Sequence, residues 1–155
     1  MNFLLSKLVL VYQLFLLTAG HIYVEKPFIP VYNEVKSVID TYCPLDKQLP
    51  LETLMIGIDD FKEDSTLGLC TRIPMHSVIK INSRRWNGFN AEDQYQIFAH
   101  EMAHCVLGAP HIDNKNHFMY ANFARHFTKE EVNSQIKDLC TRGKYANGRR
   151  YYNFY

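Results

Sequence analysis

The sequence predicts an α+β fold in which a short sheet packs against a central helix and a C-terminal helix. Three observations predict it: strand-like segments cluster mid-chain, a long apolar helical pattern follows them, and another helical pattern comes last. With 155 residues and 47% hydrophobic side chains, the chain is long enough for one domain with a real core. An aromatic share of 14% excludes disorder for most of it.

The first half of the chain predicts one helix and three strands. Apolar side chains at spacings of three and four predict a helix that begins at Pro30 and ends at Cys43, directly before Pro44. Strands are predicted for 54–58, 66–72 and 77–82, because β-branched and other apolar residues there alternate with turns rich in Asp, Ser and Pro.

Two further helices are predicted from their capping residues. Asn90 is a suitable N-cap for a helix that runs to about Leu107 and stops at Gly108. Apolar side chains occur on nearly all sides of this helix, so we expect it at the centre of the fold. Thr128 and Glu131 form the pattern of a capping box for the last helix.

The N-terminal segment predicts that the protein is located outside the cytosol. Residues 1–20 are predicted to be a signal peptide or an uncleaved signal-anchor, because Lys7 precedes an apolar run and small residues follow it. A buried N-terminal helix is the alternative. Residues 21–140 form the predicted domain, and 141–155 a basic, aromatic tail that either touches an anionic surface or partner or is a frayed terminus. We expect a secreted, extracellular or periplasmic protein, with membrane contact only if residues 1–20 stay attached.

Charge and cysteine content limit the classes of function. A net charge of +1 argues against a general nucleic-acid binder, since phosphate affinity requires clustered Lys and Arg. The four cysteines suit two disulfides in an oxidising compartment, and three pairings are open. They are Cys43, Cys70, Cys105 and Cys140.

A metal-site pattern lies within the central helix. His100 and His104 are four residues apart, so their rings lie one turn apart on the same face and can share one ion. Glu101 borders the same cleft, where a carboxylate can accept the proton of a water activated by zinc. Two surface or core histidines without a metal are the alternative interpretation.

The following residues extend this pattern. Gly108 permits a left-handed turn that would bring a third histidine, His111, back to the ion, and Met119 follows eight positions later. From Asn90 to Tyr120 the chain resembles the metzincin clan of zinc metallopeptidases, whose motif is H-E-x-x-H-x-x-G-x-x-H followed by a Met-containing turn.

The resemblance implies a small metzincin-like metallopeptidase domain with a short mixed sheet and a central active-site helix. It implies Zn²⁺ as the cofactor, Glu101 as general base and acid, and Met119 in the turn beneath the metal. It also implies a substrate strand paired with an edge of the sheet near 77–82. The implied zinc ligands are His100, His104 and His111.

One departure from the family motif concerns the third ligand. Three residues separate His104 from Gly108 where the motif has two, so we expect the helix to run one residue further or to carry a small bulge. Alternative third ligands are Asp113, His117 and, as in thermolysin-like peptidases, a glutamate of the last helix, Glu130 or Glu131.

The expected function is that of a secreted zinc-dependent endopeptidase, a monomer whose partners are protein or peptide substrates and not nucleic acid. Its rival is a catalytically inactive zinc-binding or adhesion domain with the same fold. The presence of Glu101 favours the enzyme, because a purely structural zinc site needs no carboxylate there.

Overall fold

The computed structural model describes residues 20–62 and 65–141 of the chain. The predicted signal segment, apart from Gly20, and the tail beyond Thr141 lie outside these residues, so both remain predictions. Within the described residues, no helix is both long and apolar enough to cross a bilayer.

Four strands form one mixed sheet. They are β1 (His21–Val24), β2 (Thr53–Asp59), β3 (Gly68–Ile73) and β4 (His76–Asn82). The order across the sheet is β1-β2-β4-β3, in which β2 pairs in parallel with both β1 and β4, and β3 runs antiparallel to β4. The three predicted strands are therefore present with slightly different ends, whereas β1 was not predicted.

The expected location of the sheet edge is wrong. Residues 77–82 belong to β4, which lies inside the sheet with β2 on one side and β3 on the other. Both backbone edges of β4 are thus already hydrogen-bonded, and no further strand can pair with it. The edge beside the central helix is β3, since β3 and this helix are in contact.

Helices cover one face of the sheet. They are α1 (Ile29–Tyr42), the short α2 (Ser83–Trp86), α3 (Ala91–Met102), a π-helical turn (Ala103–Leu107) and α4 (Lys129–Thr141). Single 3₁₀ turns occur at Lys26–Phe28 and Leu45–Lys47. The coarse prediction of an α+β fold with a central and a C-terminal helix is confirmed.

Capping residues fix the helix ends as predicted. The Asn90 side chain accepts hydrogen bonds from the backbone N–H groups of Glu92 and Asp93, which opens α3. At α4, the Thr128 N–H donates to the Glu131 carboxylate at 2.9 Å, and the Glu131 N–H donates to the Thr128 hydroxyl at 3.3 Å. The predicted capping box is therefore confirmed.

The hydrophobic core lies between the sheet and α3. Alternate side chains of β2 and β4 are buried, as the period of two along a strand requires. Phe98 and Met102 of α3 are fully buried, and α1 and α4 pack against α3 from outside. The predicted central position of α3 is confirmed. The buried apolar side chains of β2 and β4 are Leu54, Ile56, Ile79 and Ile81.

Two disulfides join elements that are distant in sequence. Cys43, at the end of α1, is bonded to Cys140 of α4, across a sequence separation of 97. Cys70 of β3 is bonded to Cys105 of the π-helical turn, across a separation of 35. The second bond ties the edge strand to the turn that follows α3, and thereby holds together two walls of the candidate site described next.

Candidate metal centre

Helix α3 and the turn after it carry the first two histidines. His100 lies in the last turn of α3 and His104 in the π-helical turn. Their Nε2 atoms are 3.0 Å apart, and the two rings meet edge to face. The four-residue spacing thus puts both imidazoles on one face, as the sequence predicts.

The π-helical turn absorbs the additional residue between His104 and Gly108. The N–H of Gly108 donates to the Ala103 carbonyl, five residues back, where an α-helix would use a carbonyl four residues back. Gly108 then adopts the left-handed conformation, with φ 68° and ψ 21°. Of the two expectations, the bulge is therefore the one observed, and the predicted glycine turn follows it.

The returning segment brings in the third histidine. The Nε2 atom of His111 lies 3.2 Å from that of His100. One ring nitrogen from each of the three histidines falls within 4.8 Å of the others, a spacing at which one ion can contact all three. The Ile112 N–H donates to the Met119 carbonyl at 2.9 Å, so the fully buried Met119 segment is fastened beside His111.

Backbone carbonyls orient two of the rings. His100 Nδ1 donates to the Phe118 carbonyl at 2.8 Å, and His104 Nδ1 donates to the Ala109 carbonyl at 2.6 Å. Since Nδ1 of each ring carries the proton, Nε2 of each neutral ring presents a bare lone pair.

Burial keeps these rings neutral. Desolvation, together with the nearby His104, lowers the pKa of His100 to about 3. Desolvation is also the main reason that the pKa of His104 falls to about 4, and it lowers the pKa of the more exposed His111 as well. Neutral imidazole is the form that binds metal ions.

The arrangement fits a divalent cation. The Nε2 atoms of His100 and His104 are both acceptors, so their approach to 3.0 Å provides no hydrogen bond between the two neutral rings. A cation contacting both lone pairs would satisfy them, and the carbonyl partners at Nδ1 are those that metal-bound histidines usually have. Three imidazole nitrogens match the donor preference of zinc.

The alternative third ligands lie elsewhere. His117 uses Nδ1 to accept the backbone N–H of Met119, at 3.0 Å. Glu131 caps α4 and forms an ion pair with Arg125 at 2.7 Å. Within the described residues, neither these two nor Asp113 or Glu130 belongs to the three-histidine group.

Glu101 is not part of the three-histidine group but is buried in the wall of the same cavity. Its side chain is 6% exposed and packs against Gly68 of β3, where an added Cβ would be 2.7 Å from Glu101 Cγ and 2.8 Å from Oε1. Burial raises the pKa of Glu101 to about 8, although a hydrogen bond from the Cys70 backbone acts in the opposite direction. A glycine is therefore required opposite the carboxyl group, and no sequence signal indicated it.

The three histidines and Glu101 line one open cavity of about 1030 Å³. Its other walls are β3 and the loop that follows Met119, including the half-buried Tyr120. Sequence reasoning missed Arg72, which lines the cavity and donates from Nη1 to the His104 carbonyl at 3.1 Å. An isolated arginine in a strand carries no signal that would have singled it out.

The chain matches no protein-family model, no curated protein and no solved structure.

Proposed function

We propose that the protein is a zinc-dependent endopeptidase of the metzincin type. The observation that carries this proposal is the convergence of His100, His104 and His111, whose ring nitrogens lie within 4.8 Å of one another in an open cavity. The buried carboxyl group of Glu101 lies in the same cavity. A zinc site without catalytic function would not require that group.

The histidines and Glu101 have different roles in the proposed hydrolysis. The three histidines would hold zinc, and the bound ion would supply a Lewis acid that polarises a peptide carbonyl and lowers the pKa of water. Glu101 accepts the proton from the attacking water and passes it to the leaving amine. Burial alone raises the pKa of Glu101 to about 8, and a cation held by the histidines would lower it again, which favours the carboxylate form that accepts a proton.

The edge strand β3 is suited to align a substrate. Residues of β3 line the cavity from Gly68 to Ile73, and its outer side has no strand partner among the described residues. An extended peptide that pairs with β3 would lie along the cavity, past Glu101. The substrate would therefore pair with β3 and not with β4.

Two further features support the proposal. The Met119 carbonyl accepts a hydrogen bond from the backbone N–H of Ile112, directly after His111, which suits a Met-containing turn beneath the metal. The two disulfides suit an oxidising compartment, which agrees with secretion directed by residues 1–20.

The test measures zinc and cleavage together on the secreted protein. We expect about one zinc per chain by atomic emission, cleavage of a mixed peptide library, and loss of both after treatment with a chelator, with recovery on adding zinc. One bound zinc without cleavage of any peptide would favour the inactive binding domain. No bound zinc would contradict both.

Gly68→Ala tests the contact between β3 and Glu101. The new methyl group must displace the Glu101 side chain, so we expect kcat to fall by about tenfold to a hundredfold at unchanged zinc content. The unfolding free energy should drop by about 1–3 kcal/mol. Steady-state kinetics and urea unfolding measure both.

Gly88→Ala is the matched control, because the nearest atom to its added Cβ is a backbone oxygen at 3.4 Å and Gly88 does not line the cavity. A wild-type kcat in Gly68→Ala would show that catalysis does not depend on the contact between Glu101 and Gly68 of β3.

A further inference from the structure

The charges on the cavity walls are unequal. Among the described lining residues, three carry positive charge and only Glu101 carries a carboxyl group. The positively charged residues are Arg72, Lys115 and Arg125. A cavity whose permanent charges are positive favours anionic groups of a ligand, because its low-dielectric walls concentrate the field.

Arg72 is the least exposed of these cations. It is half-buried, and its Nη1 donates to the His104 carbonyl at 3.1 Å. A guanidinium has five N–H donors in a planar fork, so one bond to a carbonyl leaves capacity for a carboxylate. The other two cations are less suitable, because Arg125 is ion-paired with Glu131 and Lys115 lies on an exposed loop.

The position of Arg72 along β3 determines which substrate residue it would meet. Gly68 lies beside Glu101, and Arg72 is four residues further along the strand. At roughly 3.3 Å per residue, the separation along β3 is about 13 Å. A peptide paired with β3 would therefore bring the side chain three or four residues from the scissile bond near Arg72.

We propose that Arg72 is a specificity-determining residue that binds a substrate carboxylate three or four residues from the cleaved bond. This inference rests on the proposed peptidase function. The carboxylate belongs either to an internal Asp or Glu or to the end of the peptide chain, and both sources present the same two oxygens to the guanidinium fork.

The experiment compares matched peptides in two assays. One set places Glu or Gln at each position from four before to four after the cleaved bond. Another set ends three or four residues from that bond, with a free carboxylate or an amide. Fluorescence anisotropy measures binding to the zinc-loaded Glu101→Gln protein, and kcat/KM is measured with the wild-type residue at 101.

We expect a carboxylate at the preferred position to improve binding and kcat/KM by about tenfold, the size of one charge-assisted hydrogen bond. Arg72→Gln should remove this preference, whereas Arg72→Lys should restore part of it. Lys80→Gln, which removes one positive charge from a residue paired with Asp59, is the control and should leave the preference unchanged. Thermal unfolding and zinc content check that each variant is folded and loaded.

The outcomes separate this inference from the proposed function. An unchanged preference in Arg72→Gln, or equal binding of Glu and Gln peptides, overturns the role of Arg72 even if every peptide is cleaved. Carboxylate-dependent binding that requires Arg72, without cleavage of any peptide, supports the role of Arg72 and contradicts the peptidase.

Discussion

Glu101→Gln should lower kcat for peptide hydrolysis on the order of 10³-fold, because the amide can neither accept the proton of the attacking water nor return it to the amine. Zinc content should stay the same, since the three histidines are unchanged. Folding should also be preserved, because Gln has nearly the same shape and its amide oxygen can still accept the hydrogen bond from the Cys70 backbone. Steady-state kinetics and metal analysis on the same preparation measure both effects.

The matched control for this variant is Glu92→Gln. Glu92 lies on the same helix but is exposed in its first turn, so the same change of charge should leave kcat near the wild-type value. Equal activity in wild type and Glu101→Gln would contradict the proposed mechanism, because Glu101 would then not be the general base.

Replacing Cys43 and Cys140 by alanine should lower the free energy of unfolding by about 4–5 kcal/mol. The bond closes a long loop, with a sequence separation of 97, and therefore restricts the unfolded chain strongly. A domain of this size is typically stable by only about 5–15 kcal/mol, so the double variant should lose roughly a third or more of its stability. Urea unfolding followed by circular dichroism measures the loss.

The second disulfide provides the comparison. Replacing Cys70 and Cys105 opens a loop with a separation of 35, for which the same reasoning gives about 3–4 kcal/mol. This variant should also lose activity, because the bond holds β3 against the turn that carries His104. A smaller stability loss for the long loop than for the short one would contradict the chain-entropy explanation.

The helices could be predicted because the signals that start and stop a helix are local. Asn90, Gly108 and the Thr128 capping box act on backbone groups within a few residues of themselves. The histidine group could be predicted for the same reason, since one short segment carries all three rings. Their convergence depends on a single helix end and a single turn.

Contacts between distant segments could not be predicted. Strand β1 was not predicted although Ile22, Tyr23 and Val24 have high β-propensity, because the segment has only four residues and shows no alternation. The position of β4 inside the sheet depends on pairing with β2 and β3, which no local pattern encodes. The tertiary structure also determines the contact between Glu101 and Gly68, and which of the three possible cysteine pairings forms.

The wide turn at Ala103–Leu107 has a consequence for recognising such sites. Inserting one residue into a regular α-helix rotates every later side chain by about 100°, which would ordinarily carry His111 away from His100 and His104. Here the five-residue hydrogen bond takes up the insertion, and His111 still reaches His100. A motif that fixes two residues between the second histidine and the glycine therefore does not match this chain, although the rings of His100, His104 and His111 still converge.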